Sequence, residues 1–342
     1  MKLSSSMHLG ALALLAAAAL PQAASASTLE NVKAADVVTC AVNGSRPGFS
    51  SVDGKGAWHG LDVDTCRAVA AAVLGDANKV KFLKTNNQTR LTALQTGEVD
   101  MTVANTTWTR SRDTDLGLDF MPPTFYDGQG LMLAKSLGVS KVAELDGASV
   151  CVRPSSTSER VVGDIQKKYN ISMKLVVLED QKEINTAFFG GRCDVAVQST
   201  SGLSSTRASV APNPDDYVIL SEIFGKDPMG PVVRQDDPQW RDIVTWTVYT
   251  LFQAEESGVT SENVDQMKAE SQDPAVRRLL GVDQAGGDGL GLTPDWAYNV
   301  VKQVGNYGEV YERNVGMGSP LKLPRGYNAQ YTDGGLIYSP PL

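Results

Sequence analysis

The chain has 342 residues, of which 42% are hydrophobic and 20% charged. This is an ordinary globular balance in a chain too long for one small core, so two domains or lobes are expected. A formal net charge of -8 argues against a nucleic-acid or anionic-membrane binder, but leaves room for an anionic small ligand wherever arginines gather.

Lys2, the apolar run over 9–20 and Ala24-Ser25-Ala26 read as an export signal with a small-residue cleavage site. Cleavage near Ala26 removes residues 1–26. The run is too short to span a bilayer, and no lipid-attachable cysteine follows the cleavage site, so a free periplasmic protein is expected. Four cysteines in an exported chain suggest disulfides, with three possible connectivities. Pairing Cys40 with Cys66 and Cys151 with Cys193 keeps each bond inside one proposed lobe. A zinc site is the alternative; wide spacing and the lack of nearby paired histidines argue against it.

Residues 37–42 are a β-branched run that reads as a buried strand, leading into the turn-rich 43–49. Asp62 or Asp64 can cap the next helix, whose Val63, Cys66, Ala70 and Val73 share one face and which Gly75 ends. A strand over 80–83, a helix over 90–95 closed by Gly97 and a strand over 99–103 complete an alternating α/β layer. The same order recurs as a strand over 148–152, a helix over 158–168, a strand over 174–178, a helix over 182–189 and a strand over 194–197. Aligning 92–103 with 186–197 without a gap gives five identities, Thr92/Thr186, Ala93/Ala187, Gly97/Gly191, Asp100/Asp194 and Val103/Val197. A duplicated lobe is the better explanation. Asn105 and Ser199 are then mates at strand ends, where ligands of open α/β sheets sit.

Residues 126–130 and 226–230 are candidate crossings between lobes, each with glycine to absorb rotation. Further helices are expected over 240–254, 296–304 and 310–314. The glycine-rich 284–292 reads as a loop and lacks the strand and lysine of a phosphate-binding loop. A turn-rich tail over 325–342 is expected to drape over a lobe.

The stretch 104–112 offers an amide, four hydroxyls and two guanidiniums just after a strand, a plausible anion clamp. The bland alternative is a solvated loop with two surface arginines. Nucleophilic catalysis finds little support: the histidines are His8, in the signal, and His59, in a loop, and no Gly-x-Ser-x-Gly elbow is present. No catalytic residue, metal or cofactor is expected.

Four segments carry a resemblance: Asn105-Thr106-Thr107-Trp108-Thr109-x-Ser111-Arg112-Asp113, Gly60-Leu61-Asp62-Val63-Asp64-x-Cys66-Arg67-Ala68-Val69-Ala70, Tyr126-Asp127-Gly128 and Gln303-Val304-Gly305-Asn306-Tyr307. From about Val37 to the C-terminus, the chain resembles the periplasmic general L-amino-acid-binding proteins of polar amino-acid ABC importers (solute-binding protein family 3). The resemblance implies a two-lobed periplasmic-binding-protein fold, two parallel-type α/β lobes joined by two hinge strands. Residues 27–127 and 229–342 would form lobe 1 with a C-terminal extension, and 128–228 lobe 2. A monomer is implied that captures an amino acid or related small carboxylate and delivers it to a membrane permease. By resemblance, Arg112 holds the α-carboxylate, Thr107 donates to it and Asn105 offers its carbonyl to the ammonium. Ser156 or Thr157 completes the carboxylate cradle, while Asn43, Arg46, Phe49 and Asn87 line the side-chain pocket; Phe49 reads equally well as core.

Two departures stand out. Ser199 lies where relatives usually place the aspartate that pairs the ligand ammonium, and Arg46 and Arg153 lie where relatives tend to be uncharged. Losing a desolvated partner is costly. Either another carboxylate substitutes, or the ligand is shifted towards acidic or organic-acid compounds. A dehydratase-like enzyme on the same fold is the competing class, and needs an acid or base with a shifted pKa in the cleft.

Overall fold

The computed structural model describes residues 27–283 and 288–341. The export signal read over 1–26 and residues 284–287 of the glycine-rich loop lie outside the described residues.

The β-branched strand Val38–Val42 is central to the first sheet. It pairs in parallel with Val80–Lys84 on one side and Met101–Thr102 on the other. Val232–Arg234 then joins antiparallel to Met101–Thr102, and Leu118–Phe120 forms the far edge. The helix Leu61–Leu74 is buried along nearly its whole circumference, because it packs on this sheet and also on the helices Pro238–Glu256 and Trp296–Val304. Neither Asp62 nor Asp64 caps it, contrary to expectation. Gly60 holds the cap position at φ 132, where a Cβ would lie 2.0 Å from the Phe49 carbonyl oxygen. That close approach puts both aspartates inside the first helical turn, where they are buried. The turn-rich 43–49 contains one strand of a small antiparallel sheet, Ser45–Arg46, Ser50–Val52 and Trp58–His59.

The second sheet repeats the plan. Ser149–Val152 lies between Lys174–Val177 and Val195–Ser199, all parallel. The long strand Phe125–Ala134 then runs antiparallel beside Val195–Ser199, with Tyr217–Ile219 and Phe224–Met229 paired to it. Each sheet therefore has a parallel half and an antiparallel half. The antiparallel partners include the crossings: Phe125–Ala134 and Phe224–Met229 pair with Asp127 opposite Asp227. The two sheets have separate apolar cores, one around Val38, Val69, Ile243 and Val300, the other around Leu131, Val150, Val162 and Val195.

The internal repeat is visible in backbone detail. Gly97 and Gly191 both take left-handed φ, 77° and 76°. Asp100 then accepts the Thr39 amide at 2.7 Å, and Asp194 accepts the Ser149 amide at 2.8 Å, each pinning the strand beside it. Disulfides join Cys40 to Cys66 and Cys151 to Cys193, the preferred pairing. Helices not foreseen from the sequence are Thr28–Ala35, Arg110–Asp115, Thr200–Ser209, Val264–Glu270 and Pro274–Leu279. The tail does more than drape. Asn328 accepts the Tyr126 amide at 2.6 Å and donates to the Tyr126 carbonyl at 3.1 Å, gripping one crossing strand.

Candidate functional site

A narrow polar pocket opens where the carboxyl ends of the parallel strands in both sheets face each other. The first sheet's side contributes Asn43, Arg46, Asn87, Asn105 and Thr107, and the second's side contributes Arg153, Ser156, Thr157 and Ser199. These nine residues were all singled out from the sequence. Phe49 and Arg112 do not line the pocket. Phe49 is fully buried, edge-on to Phe125 with centroids 5.1 Å apart, and the Arg46 guanidinium lies 5.9 Å from its ring. It supports Arg46 from below.

Arg112 sits in the short helix Arg110–Asp115, capped by the Thr109 hydroxyl. Its Nη1 donates to the Thr107 carbonyl at 3.0 Å and its Nη2 to the Ser155 carbonyl at 3.1 Å. The guanidinium thus straps one side of the cleft to the other. Three further bonds cross the same gap: Arg46 Nη1 donates to Ser199 Oγ at 3.2 Å, Ser205 Oγ donates to the Pro47 carbonyl at 2.9 Å, and the Thr107 and Thr157 hydroxyls lie 3.4 Å apart.

Sequence reasoning missed Arg90, Gln129, Ser158, Asp227 and Met229. Arg90 reads as an ordinary helix residue, yet it is buried and donates to the carbonyls of Ala104 at 2.7 Å and Asn105 at 3.2 Å. Those bonds hold Asn105 at φ 50°, a left-handed conformation rare outside glycine. Both polar atoms of the Asn105 amide are buried and lack a partner among the described residues.

Asp227 is the acid that lines the pocket, and is only 2% exposed. One of its oxygens accepts the Thr107 hydroxyl; the other accepts Gln129 Nε2 at 2.5 Å. Gln129 is fixed in turn by Ser158 Oγ at 2.7 Å. Burial pushes the Asp227 carboxyl above its usual range, against the pull of the Thr107 hydroxyl. A legible signal did exist: Asp227 lies in the crossing proposed over 226–230, at a pocket-facing register.

Two other acids lie nearby but are already committed. Asp127 accepts Thr200 Oγ1, the Ser201 amide at 3.1 Å and the Gly128 amide at 2.8 Å, anchoring the start of the helix Thr200–Ser209. Asp62 accepts the Asn105 amide at 3.1 Å; burial pushes its carboxyl up to about 8, against Arg46 and that amide.

The cations behave in the converse way. Burial lowers Arg46, opposed by Asp227, Asp127 and Asp62. Burial, reinforced by Arg112, Arg153 and Arg46, holds Arg90 well below the arginine range. Half-buried Arg153 falls to about 9, through burial and then the repulsion of Arg46. No hydrogen bond from the Arg153 side chain forms among the described residues, and the residue lines the pocket. At the pocket's second-sheet edge, the helix Thr157–Tyr169 presents its N-terminus, with Ser156 Oγ accepting the Glu159 amide at 3.1 Å. Such a terminus favours an anion. The arrangement can therefore hold a small ligand carrying both signs of charge.

The sequence pattern of the bacterial extracellular solute-binding proteins, family 3, matches residues 38–262. The chain is 52% identical to the general L-amino acid-binding periplasmic protein AapJ of Rhizobium johnstonii, over 94% of each chain. It is 48% identical to the glutamate/glutamine/aspartate/asparagine-binding protein BztA of Rhodobacter capsulatus, over 95% of this chain and 96% of that one. Among solved structures, a periplasmic binding protein from Brucella ovis with glutathione bound superimposes with a TM-score of 0.90 at 48% identity. That match covers 93% of this chain and 99% of the other.

Proposed function

Since the chain belongs to family 3 of the bacterial extracellular solute-binding proteins and is a solute-binding protein of the amino-acid ABC importer type, we propose that it captures L-α-amino acids with acidic or amide side chains in the cleft between its lobes. The reading rests on one observation: a pocket lined from both sheets, with an anion-favouring helix terminus, one buried carboxylate and three arginines. We take the lobes to divide within the two crossing strands, giving 27–127 with 229–342, and 128–228.

In this reading the α-carboxylate sits between Thr107 and the Ser156–Thr157 helix start. Arg112, outside the pocket lining, holds the Thr107 and Ser155 carbonyls and adds positive charge behind a carboxylate seated at Thr107. Asn105 offers its carbonyl to the ammonium. The ligand side chain runs towards Asn43, Arg46, Asn87 and Arg153, where free guanidinium donors suit a carboxylate, an amide or a γ-glutamyl peptide. The names of the relatives agree: one takes L-amino acids generally, another glutamate, glutamine, aspartate and asparagine, and a third holds glutathione.

The closed, loaded form then delivers its ligand as a monomer to the membrane permease of the importer, in the periplasm to which relatives are assigned. We infer a receptor, not an enzyme, because the similar proteins are named as binding proteins. A thermal-shift screen of the L-amino acids, glutathione and succinate tests the reading. Glutamate, glutamine, aspartate and asparagine are expected to raise the melting temperature most. A rise with succinate alone, or with lysine and arginine alone, overturns it, and conversion of bound ligand on prolonged incubation overturns the receptor assignment.

A further inference from the structure

We propose that Asp227, on the crossing strand Phe224–Met229, is the counter-charge for the ligand ammonium, and that the Ser199 end of the cleft is instead an anion-accepting subsite built around Arg46. This rests on the proposed function and sharpens it.

The first ground is the surroundings of Asp227. It lines the pocket, is 2% exposed, and forms no ion pair among the described residues. A carboxylate buried so deeply needs a cation or a full set of hydrogen bonds. Thr107 and Gln129 supply one donor to each oxygen. Each oxygen has about two acceptor positions, so both keep one for an ammonium. Neither competing acid lines the pocket: Asp127 holds the start of the helix Thr200–Ser209, and Asp62 holds the Asn105 amide.

The second ground is independent. Arg46 Nη1 lies 3.2 Å from Ser199 Oγ. An ammonium placed at residue 199 would meet a guanidinium, whereas a carboxylate there would complete a charge-assisted bond. Position 199 is therefore closed to the amine and open to an anion. Half-buried Arg153, which feels the Arg46 charge, lines the same pocket.

A consequence for motion is built in. Asp227 belongs to a crossing strand, Thr107 to the first lobe and Gln129 to the other crossing strand. An ammonium bound to Asp227 is tied to the segments that rotate when the lobes close, so amine recognition and closure are one event.

Isothermal titration of L-glutamate against its deamino analogue glutarate tests the assignment in the wild type, in D227N and in D227N/S199D. The wild type is expected to prefer glutamate by about 100-fold or more. D227N is expected to lose about that factor for glutamate while glutarate changes little. The second carboxylate in D227N/S199D is expected to pair with Arg46 and restore nothing. Preference retained in D227N, or restored by S199D, overturns the assignment. Because D227N could loosen the Thr107–Gln129 network, a crystal structure of the wild-type L-glutamate complex reads the same point directly. An ammonium within about 3.2 Å of Asp227 supports it, and one elsewhere overturns it. If the wild type binds neither L-glutamate nor L-glutamine, the proposed function itself falls; if it binds them without regard to Asp227, only this assignment does.

Discussion

Asp62 illustrates how a residue can read one way in sequence and act another way in space. An aspartate before an apolar helical run looks like a cap, and the tight contact of Gly60 with Phe49 is what denies it that role. Folded inside the helix and 3% exposed, it has its carboxyl pushed up to about 8, from an ordinary value of 3.8. Between those two values the folded state holds a proton that the unfolded state has released. Stability therefore falls as pH rises from about 4 to about 8. Asp227 and Asp127, also raised by burial, add slope of the same sign. D62N, which keeps the shape without the ionisation, is expected to flatten the decline in melting temperature over that window; an unchanged slope would show that Asp62 ionises freely in the fold. Asn43, Arg46, Asn87 and Arg153 were legible through the resemblance, and Asn105 and Ser199 also through the strand-end rule. Arg90 gave no signal, and Asp227 only its place in a proposed crossing, because their importance comes from burial at points where chain segments distant in sequence meet.

At the scale of elements, the strand–helix alternation was readable because β-branched runs and left-handed glycines mark its boundaries. The helix Trp296–Val304 has its expected limits. The helix Thr200–Ser209 escaped notice: Thr-Ser-Gly-Leu-Ser-Ser-Thr-Arg-Ala-Ser has low intrinsic propensity, since hydroxyls compete for backbone groups. Asp127, far away in sequence, supplies the anchor that lets it form. The paired glycines offer a clean test of the repeat. A Cβ on Gly97 or Gly191 meets nothing within 4 Å, so only the left-handed backbone opposes it. G97A and G191A should each cost about 1 kcal/mol, and the double variant about their sum, since the sites lie in different lobes. Urea midpoints at constant m-value measure this. A neutral effect at one site alone would show that the two turns are not equivalent.

For the whole molecule, the lobes are held together across the cleft by a few polar contacts, Arg46 to Ser199, Arg112 to Ser155, Ser205 to Pro47 and Thr107 to Thr157. Neutral hydrogen bonds contribute about 1 kcal/mol each and those from a charged group about 1.5–3 kcal/mol, so ligand energy can decide between open and closed forms. Small-angle scattering should show a smaller radius of gyration once saturating L-glutamate is added; an unchanged radius would mean that closure precedes binding. The way the chain threads the two lobes also has a bearing on the order in which they can be built. The second sheet draws all its strands from 125 to 229, one uninterrupted stretch. The first sheet needs Val232–Arg234, and its helix Leu61–Leu74 needs Trp296–Val304 as a packing partner. In a chain made from its N-terminus, the segment that appears first is thus the last to find its partners. Its apolar face must wait, exposed, while the later-made lobe is already able to fold, and that interval is when a chaperone or a protease would find it.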